Sequence, residues 1–409
     1  MPLRSPRADS ERDTVRVLFI HEVSYENKVI YEMHEFPELF SLRGHDVTFL
    51  QFPEGSGKVR RSARSDTREI SGRAYRDARL TLVTPPTWGG SSWERFAAPV
   101  IDVPTIRREL RSGRYDVVVL YAVPTTGWQT VSMARRASVP VVFRALDVSH
   151  KIRSTIVSRL VLAAERYVYR NATLLSANNP AMGEYCVSIS GRTGPVVVNL
   201  PPLDLSHFAR EPLTDLRAEL GLDASHRVIL YMGSFFTFSG LDIVMRGLAA
   251  EFSARPELRL VLVGGGELEQ TLRSTAAELG IEDRVIFTGV IDYQSLPEYL
   301  RLGDVAINPF EPELLTNVAL PHKVLQYMAA GVPAVSTSLS GLRGVLGEDS
   351  GVTWVARPEE VAAVASALAA GDRDELSRIS RAERAFAEAT FSKESAVESF
   401  ERTLESVIS

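Results

Sequence analysis

Residues Asn308–Ser336 read NPFEPELLTNVALPHKVLQYMAAGVPAVS: a polar loop, a short helical pattern and a buried strand in succession. The loop carries two carboxylates, Glu311 and Glu313, and runs into Pro321-His322-Lys323. The helical pattern stops at Gly331, and Pro333-Ala334-Val335-Ser336 follows as an apolar strand. A helix that opens after a strand offers free backbone N–H groups and the positive end of its dipole, a seat for phosphate. Lys323 falls in the first turn, where the dipole prefers an anion. Its charge is unfavourable for the helix and suits an anionic ligand above it; the competing reading is a solvated lysine on a crossover helix.

Strand–helix alternation extends from this stretch in both directions. In the C-terminal half, Val228–Met232 reads as a strand, Gly233–Gly240 (GSFFTFSG) as a loop and Leu241–Phe252 as a helix. Arg259–Val263 is a strand, Gly264-Gly265-Gly266-Glu267 a tight loop and Leu268–Leu279 a helix; Val285–Thr288 and Val305–Asn308 are further strands. The N-terminal half opens on Val15–Ile20 (VRVLFI), a helix ending near Leu42-Arg43-Gly44, and a strand at Val47–Leu50, which make one β-α-β unit. Asp116–Leu120, Val139–Phe143, Thr173–Ala177 and Val196–Asn199 continue it, with a helix over 154–170 and a turn at Asn178-Asn179-Pro180 leading into another. Asn199–Pro212, rich in proline, reads as a linker. The expected fold is therefore α/β, with two Rossmann-like parallel-sheet domains facing across a cleft. The domains are placed at 1–200 and 201–384, and a final helix over about 385–409 is expected to pack back on the first.

Composition narrows the function. A net charge of −5 over 409 residues gives no basic field for nucleic acid. The single cysteine, Cys186, permits no internal disulfide and fits a reducing compartment. No run approaches the length of a membrane span and the first residues lack the apolar core of a signal peptide, so a cytoplasmic location is expected.

Several loops hold chemistry. The first, after Ile20, is not glycine-rich but carries His21, Glu22, Tyr25, Glu26 and Asn27, which suits side-chain recognition of a hydroxylated ligand better than a dinucleotide. Arg144, Asp147 and His150 follow a strand's carboxyl end, where open α/β sheets bind ligands. Residues 54–79 contain eight Lys/Arg against four Asp/Glu and read as a mobile loop, or as a peripheral contact with an anionic acceptor or membrane surface. Gly55-Ser56-Gly57-Lys58 is not a nucleotide P-loop, because Val59 replaces the Ser/Thr and Phe52 the upstream glycine.

The segments YMGSFFTFSGLDIVMRGL, LRLVLVGGGELEQTLRSTAAELGIEDRVIFTGVI, GDVAINPF and KVLQYMAAGVPAVSTSLSGL, in that order, resemble the retaining glycosyltransferases of the large family numbered 4, which have the GT-B architecture. In the first half LFSLRGHDVTFL is similar to the family's second strand, and Phe143–Val148 lies where many members carry a histidine-glycine-any-aspartate segment. The resemblance implies transfer of a sugar from a nucleoside-diphosphate sugar to a hydroxyl of a glycan, lipid-linked or natural-product acceptor, with no resident cofactor and no required metal.

The departures from the family pattern define what to test. The Arg and Lys that many members use on the donor diphosphate are missing from the Gly233 loop, whose matching positions are Ser234 and Phe235–Ser239. The family's two glutamates, seven residues apart, fall on Val318 and Gln326. A subgroup of relatives lacking the Arg-Lys pair carries a lysine at the position of Lys323, and the resemblance implies that it replaces the pair's charge. By resemblance, Gly233, Ser234, Phe235, Glu267, Val290, Thr316, Asn317, Val318 and Gln326 line the donor site, with Val290 beside the nucleobase. Lys323, Arg144 and Asp147 are the expected catalytic set, and Glu22, Asn27 and His150 face the acceptor. Two alternatives remain open: another GT-B enzyme such as an epimerase or phosphorylase, or a non-catalytic partner that binds nucleotide sugar, motivated by Val318 and Gln326.

Overall fold

Apolar runs become strands buried on both faces in a computed structural model that describes residues 14–52, 62–87, 92–121, 123–152, 158–210 and 215–408. The chain divides into two compact units, one of Met1–Arg144, Asn171–Leu174 and Thr403–Ser409, the other of Ala145–Arg170 and Leu175–Arg402.

The N-terminal sheet has eight strands: β1 (Arg16–Ile20), β2 (Asp46–Leu50), β3 (Asp66–Ser71), β4 (Arg79–Thr84), β5 (Val117–Leu120), β6 (Val141–Ala145), β7 (Leu174–Ala177) and β8 (Val196–Val198). Their order is β3-β4-β2-β1-β5-β6-β7-β8. β1 pairs in parallel with β2 and β5, and β3 runs antiparallel to β4. β3 corrects the expectation of a mobile loop over 54–79. From Ser62 onward the segment is ordered as an edge hairpin, while 54–61, including Arg60 and Arg61, lie outside the described residues. β3 escapes a search for apolar periodicity because, Ile70 apart, its side chains face solvent, as charged edge strands do. Its arginine is also compensated: Arg68 pairs with Glu26 at 2.6 Å and with Asp66 at 3.4 Å.

The second sheet comprises β9 (Arg227–Met232), β10 (Leu258–Val263), β11 (Val285–Gly289), β12 (Val305–Asn308), β13 (Ala334–Thr337) and β14 (Thr353–Val355), all parallel. The order β11-β10-β9-β12-β13-β14 is that of a doubly wound nucleotide-binding sheet. Alternation along β9 explains its layers: Val228 and Leu230 join one core cluster, Ile229 and Tyr231 the other. The proline-rich stretch after Asn199 is packed with this unit. Leu203 and Phe208 enter its core, and Leu203 N–H donates to Phe391 O at 3.2 Å.

Chain order reverses between β9 and β12. In open α/β sheets ligands bind at such a switch point, outside the carboxyl ends of the strands. The sheet therefore designates the loops after Met232 and after Asn308 as the place to look.

Candidate functional site

The loop after β9 is built for close backbone approach. Gly233 N–H donates to Val263 O at 2.9 Å, and Phe235 N–H to Gly265 O at 3.0 Å. Gly264 lies at φ +130°, and a Cβ there would come within 2.1 Å of Gly233 O, so these two loops can adjoin only with glycine. The loop after β12 is tied to the first by Glu311 N–H, which donates to Phe238 O at 3.1 Å.

Between these loops stands Lys323, in the first turn of helix His322–Ala330. Buried Val324, Leu325, Tyr327 and Met328 seat that helix in the core, so the position of Lys323 is set by packing. Its Nζ lies 3.8 Å from the ring centre of Tyr231 and 4.3 Å from that of Phe310, and a Cβ at Gly233 would be 3.1 Å from it. Among the described residues no carboxylate pairs with it. Ring faces favour the ammonium electrostatically. Burial opposes it and holds the amine well below lysine's ordinary value. Pro321 at the helix start has no side chain able to cap, so the positive dipole end adds to the same field. The result is a lysine with no carboxylate partner among the described residues at the switch point, in reach of an anion above Gly233 that would favour its charged form.

Three aromatic groups give this arrangement its walls, and the sequence reading did not single them out. Tyr327, fully buried, accepts Met232 N–H at 2.8 Å and reaches Ile307 O at 3.4 Å, bracing the ends of β9 and β12. Tyr231 donates to Ser234 O at 3.0 Å. Phe310 packs edge-on to Phe238 at 5.4 Å, which in turn meets Phe236 at 5.3 Å, and Phe236 is 43% exposed. The clustering of Phe in GSFFTFSG and NPFEP was the available signal, but aromatic residues after a strand read first as core.

Profiles of two families match most of the chain between them: one described as "Glycosyl transferases group 1" over residues 226–370 and one described as "Glycosyl transferase 4-like domain" over 38–202. The chain belongs to the family 4-like GT-B glycosyltransferases. It is 32% identical over 182 residues to a D-inositol 3-phosphate glycosyltransferase of Segniliparus rotundus, covering 42% of this chain and 39% of the relative. A second such protein, from Geodermatophilus obscurus, is 29% identical over 63% of this chain and 60% of its own length. A 2-deoxystreptamine N-acetyl-D-glucosaminyltransferase of Streptomyces fradiae is 27% identical over 46% of this chain and 45% of its own. The matched part is thus less than two thirds of each of these relatives. Among solved structures, Anabaena Alr3699/HepE in complex with UDP has a TM-score of 0.73 at 17% identity, covering 96% of this chain and all of that one. Sucrose-phosphate synthase from Thermosynechococcus elongatus reaches 0.75 at 17% identity, covering 96% and 99%. These likenesses show the fold.

In this chain the residues expected at the site fall into three groups. Lys323, Gly233, Ser234 and Gln326 gather at the switch point. Gln326, one helical turn beyond Lys323, is half-buried and has no side-chain partner among the described residues. Glu267 and Val290 are exposed on neighbouring loops, Val290 by 73%.

A second group holds the scaffold. The Phe235 ring is fully buried, packed against Tyr231 and Phe287. Thr316 Oγ1 accepts Glu313 N–H at 3.0 Å, Asn317 Oδ1 accepts Ser340 N–H at 3.0 Å, and Val318 O accepts from Asn179 Nδ2 at 2.9 Å. These three residues fix the segment around the short helix Leu314–Val318. Glu311, one of the two loop carboxylates, is held above the usual glutamate range by burial and by the charges of Asp242, Glu313 and Glu359.

The third group follows the strands of the N-terminal sheet. Arg144 is sealed in the interior, where its guanidinium forks onto Glu32 at 2.8 and 2.9 Å and covers the ring of Phe36 at 5.4 Å. Glu22 accepts from the N–H and hydroxyl of Thr125 at 3.0 and 2.6 Å, and Asn27 donates to Ser24 Oγ at 3.1 Å. Asp147 is exposed. His150 Nδ1 lies 2.6 Å from Glu165 Oε2, and burial raises that carboxyl. With Nδ1–H given to Glu165, the tautomer assigned from this network leaves Nε2 as the basic nitrogen.

The N-terminal sheet has its own switch point, between β1 and β5. His21 and Tyr121, which follow those strands, stack there with ring centres 5.1 Å apart, and His21 Nε2 meets Tyr31 OH at 3.1 Å.

Proposed function

We propose that this protein is a retaining glycosyltransferase that moves a sugar from a nucleoside-diphosphate sugar to a hydroxyl of a glycan, lipid-linked or natural-product acceptor. The observation that supports it is the unpaired Lys323 at the switch point of the second sheet. As the bond from the sugar's anomeric carbon to the diphosphate oxygen stretches, negative charge grows on the leaving group. A fixed cation and helix-start N–H groups aimed there lower the barrier. The acceptor hydroxyl forms the new bond to the anomeric carbon, and its proton passes to the departing diphosphate. No enzyme nucleophile is needed for this route.

In this reading Gln326 holds a hydroxyl of the donor, since an amide both donates and accepts. Gly233, Ser234 and Glu267 border the diphosphate and sugar, and Val290 offers its exposed side chain to the base. Glu22, Asn27, Asp147 and His150 serve the acceptor, and the stretch 54–79 meets an anionic acceptor or membrane surface. The solved HepE structures include complexes with UDP and with UDP-glucose, which supports a nucleotide sugar as the donor class here. No helix among the described residues is long and apolar enough to cross a membrane.

A panel of nucleoside diphosphates and nucleotide sugars read by thermal shift tests the donor site, because a ligand of the native state at a hundred times its Kd adds about 2.7 kcal/mol. Hydrolysis or transfer of the stabilising nucleotide sugar then tests turnover. Absence of stabilisation by every nucleoside diphosphate, in a folded protein, removes the proposal; binding without turnover on any acceptor favours a non-catalytic partner.

A further inference from the structure

A cavity of about 360 Å³ lies in the first unit, lined by residues of helices Val103–Arg111 and Gly127–Arg136. It shares no residue with the donor site and does not depend on the donor reading. Three guanidinium groups line it: Arg107, Arg111 and Arg136. Among the described residues none of the three has a carboxylate partner. The arginines next to them in sequence do have partners: Arg108 pairs with Glu109 at 2.9 Å, and Arg135 donates to Asn171 Oδ1 at 3.0 Å. Glu109, the carboxylate on the same helix, is shared between Arg108 and Arg114. It is therefore not available to the cavity.

Helix dipoles explain part of this. Arg111 and Arg136 stand in the last turns of their helices, where a cation is favoured. Arg107 lies a turn earlier, and the dipole does not account for three like charges on one concave surface. Gln129 and Ser132 apart, the rest of the lining is apolar or aromatic, and the Ser132 hydroxyl donates to Trp128 O at 2.8 Å. Leu110 is buried and Met133 half-buried in the wall, and the Trp128 indole is 47% exposed at the same cavity. Gln129 adds no free donor, because its amide N–H groups already go to Pro99 O and Thr125 O at 3.1 and 3.2 Å.

Guanidinium forks match phosphate oxygens, and three of them exceed what a single carboxylate requires. An indole with one apolar side at a wet boundary suits a ligand that is itself amphiphilic. We propose that this cavity binds a phosphate ester with an apolar body, the phosphate held by Arg107, Arg111 and Arg136 and the body laid against Trp128. Such an ester could come from an anionic phospholipid leaflet or from a soluble metabolite, and the chemistry recognised is the same.

The test uses the full chain and the emission of Trp128, isolated from the other three of the four tryptophans by comparison with Trp128→Phe. Hexyl phosphate is titrated as the soluble probe, inorganic phosphate as its control. Phosphatidylglycerol vesicles are the leaflet probe, with phosphatidylcholine vesicles as control. The expected result is a change of Trp128 emission with at least one ester probe, at least tenfold tighter than with its control. The Arg107→Gln/Arg136→Gln variant should lose that affinity at least tenfold while keeping its circular dichroism and its binding of nucleoside diphosphate. A response to phosphatidylglycerol alone identifies the leaflet as the source, and one to hexyl phosphate alone a soluble ester; either supports the site. No response to both probes at low salt, or equal affinity in the double variant, overturns it. Nucleoside diphosphate binding is read separately, so failure here and failure of the donor reading are distinguishable.

Discussion

Lys323→Met separates a ligand-binding lysine from a packing one, because the two roles predict opposite signs. Met keeps the length and apolar stem of lysine and removes only the ammonium. In the free protein Lys323 is half-buried with no carboxylate partner among the described residues, and burial already depresses its proton affinity. Two ring faces at 3.8 and 4.3 Å recover part of the lost hydration, about 1–2 kcal/mol for a partly desolvated cation. A sulfur against the same rings recovers a comparable part, about 0.3–1.5 kcal/mol, with no charge to desolvate. The free variant should therefore be as stable as the parent or more so, by about 1 kcal/mol.

Nucleoside diphosphate binding should move the other way, weakening by about 1.5–3 kcal/mol, the scale of a charge-assisted hydrogen bond. That corresponds to roughly 10- to 150-fold in Kd. Affinity in the parent should also fall as pH rises, since the free lysine sits below its ordinary value and the anion restores its proton. Calorimetry in two buffers of different ionisation enthalpy measures that uptake, and urea unfolding measures the free-state stability. A variant that is clearly destabilised but binds the diphosphate normally would show that Lys323 belongs to the packing and refute the site.

The other predictions follow from groups at fixed places in the fold. Glu383, fully buried on helix Arg373–Thr390, accepts Ala334 N–H at 3.0 Å through Oε1, while Oε2 has no partner among the described residues, and burial lifts its carboxyl to about 8. Below about pH 4.5 it is protonated folded or unfolded; as pH rises towards 8 only the folded state keeps the proton, so stability drops by up to about 1.4 kcal/mol per unit across that window. Glu383→Gln should flatten the urea midpoint against pH between 5 and 8, and an unchanged slope would sink the assignment. Glu32→Ala, which takes the paired carboxylate away from the buried Arg144 guanidinium, should cost about 3–5 kcal/mol, whereas Glu32→Leu with Arg144→Met should recover most of it in urea unfolding. Phe236→Ala, at a ring 43% exposed, should change stability by less than about 0.5 kcal/mol and raise the KM of the nucleotide sugar without altering nucleoside diphosphate affinity.

Legibility of the fold follows burial. β9, β10, β12 and β13 are buried on both faces over most of their length, so each carries an apolar stretch, Val228–Met232, Leu260–Val263, Val305–Ile307 and Ala334–Val335. β3 is invisible to the same test because an edge strand with charged side chains carries no apolar period. The site divides in the same way. Lys323 could be suspected from its place in a first helical turn, a local property. That Arg144 is sealed by Glu32, 112 residues away, has no local trace, and a strand's carboxyl end predicts only where a side chain starts. Phe235 and Phe236 are adjacent and chemically identical, yet one is in the core and the other in solvent; only the turn that follows β9 decides which.

The placement of charge on helix His322–Ala330 rather than on the loop after β9 has a structural cause. In that loop Ser234 and Phe235–Ser239 are the positions that the family resemblance sets against a diphosphate-binding Arg and Lys, and the backbone is committed elsewhere. Ser234 O accepts from Tyr231, Phe235 is tied to Gly265 and Leu268, and Ser239 is fully buried with an Oγ that has no partner among the described residues. A lysine at Ser239 would have to bury its charge in that space. Lys323 instead rises from a helix whose next turn, Tyr327, hydrogen-bonds the ends of both strands that flank the switch point. The cation and the crevice are thus positioned by the same helix, so a displacement of one carries the other with it. Electrostatic stabilisation of a leaving group requires that kind of fixity, since a donor that must reorganise during bond breaking returns part of its benefit as reorganisation.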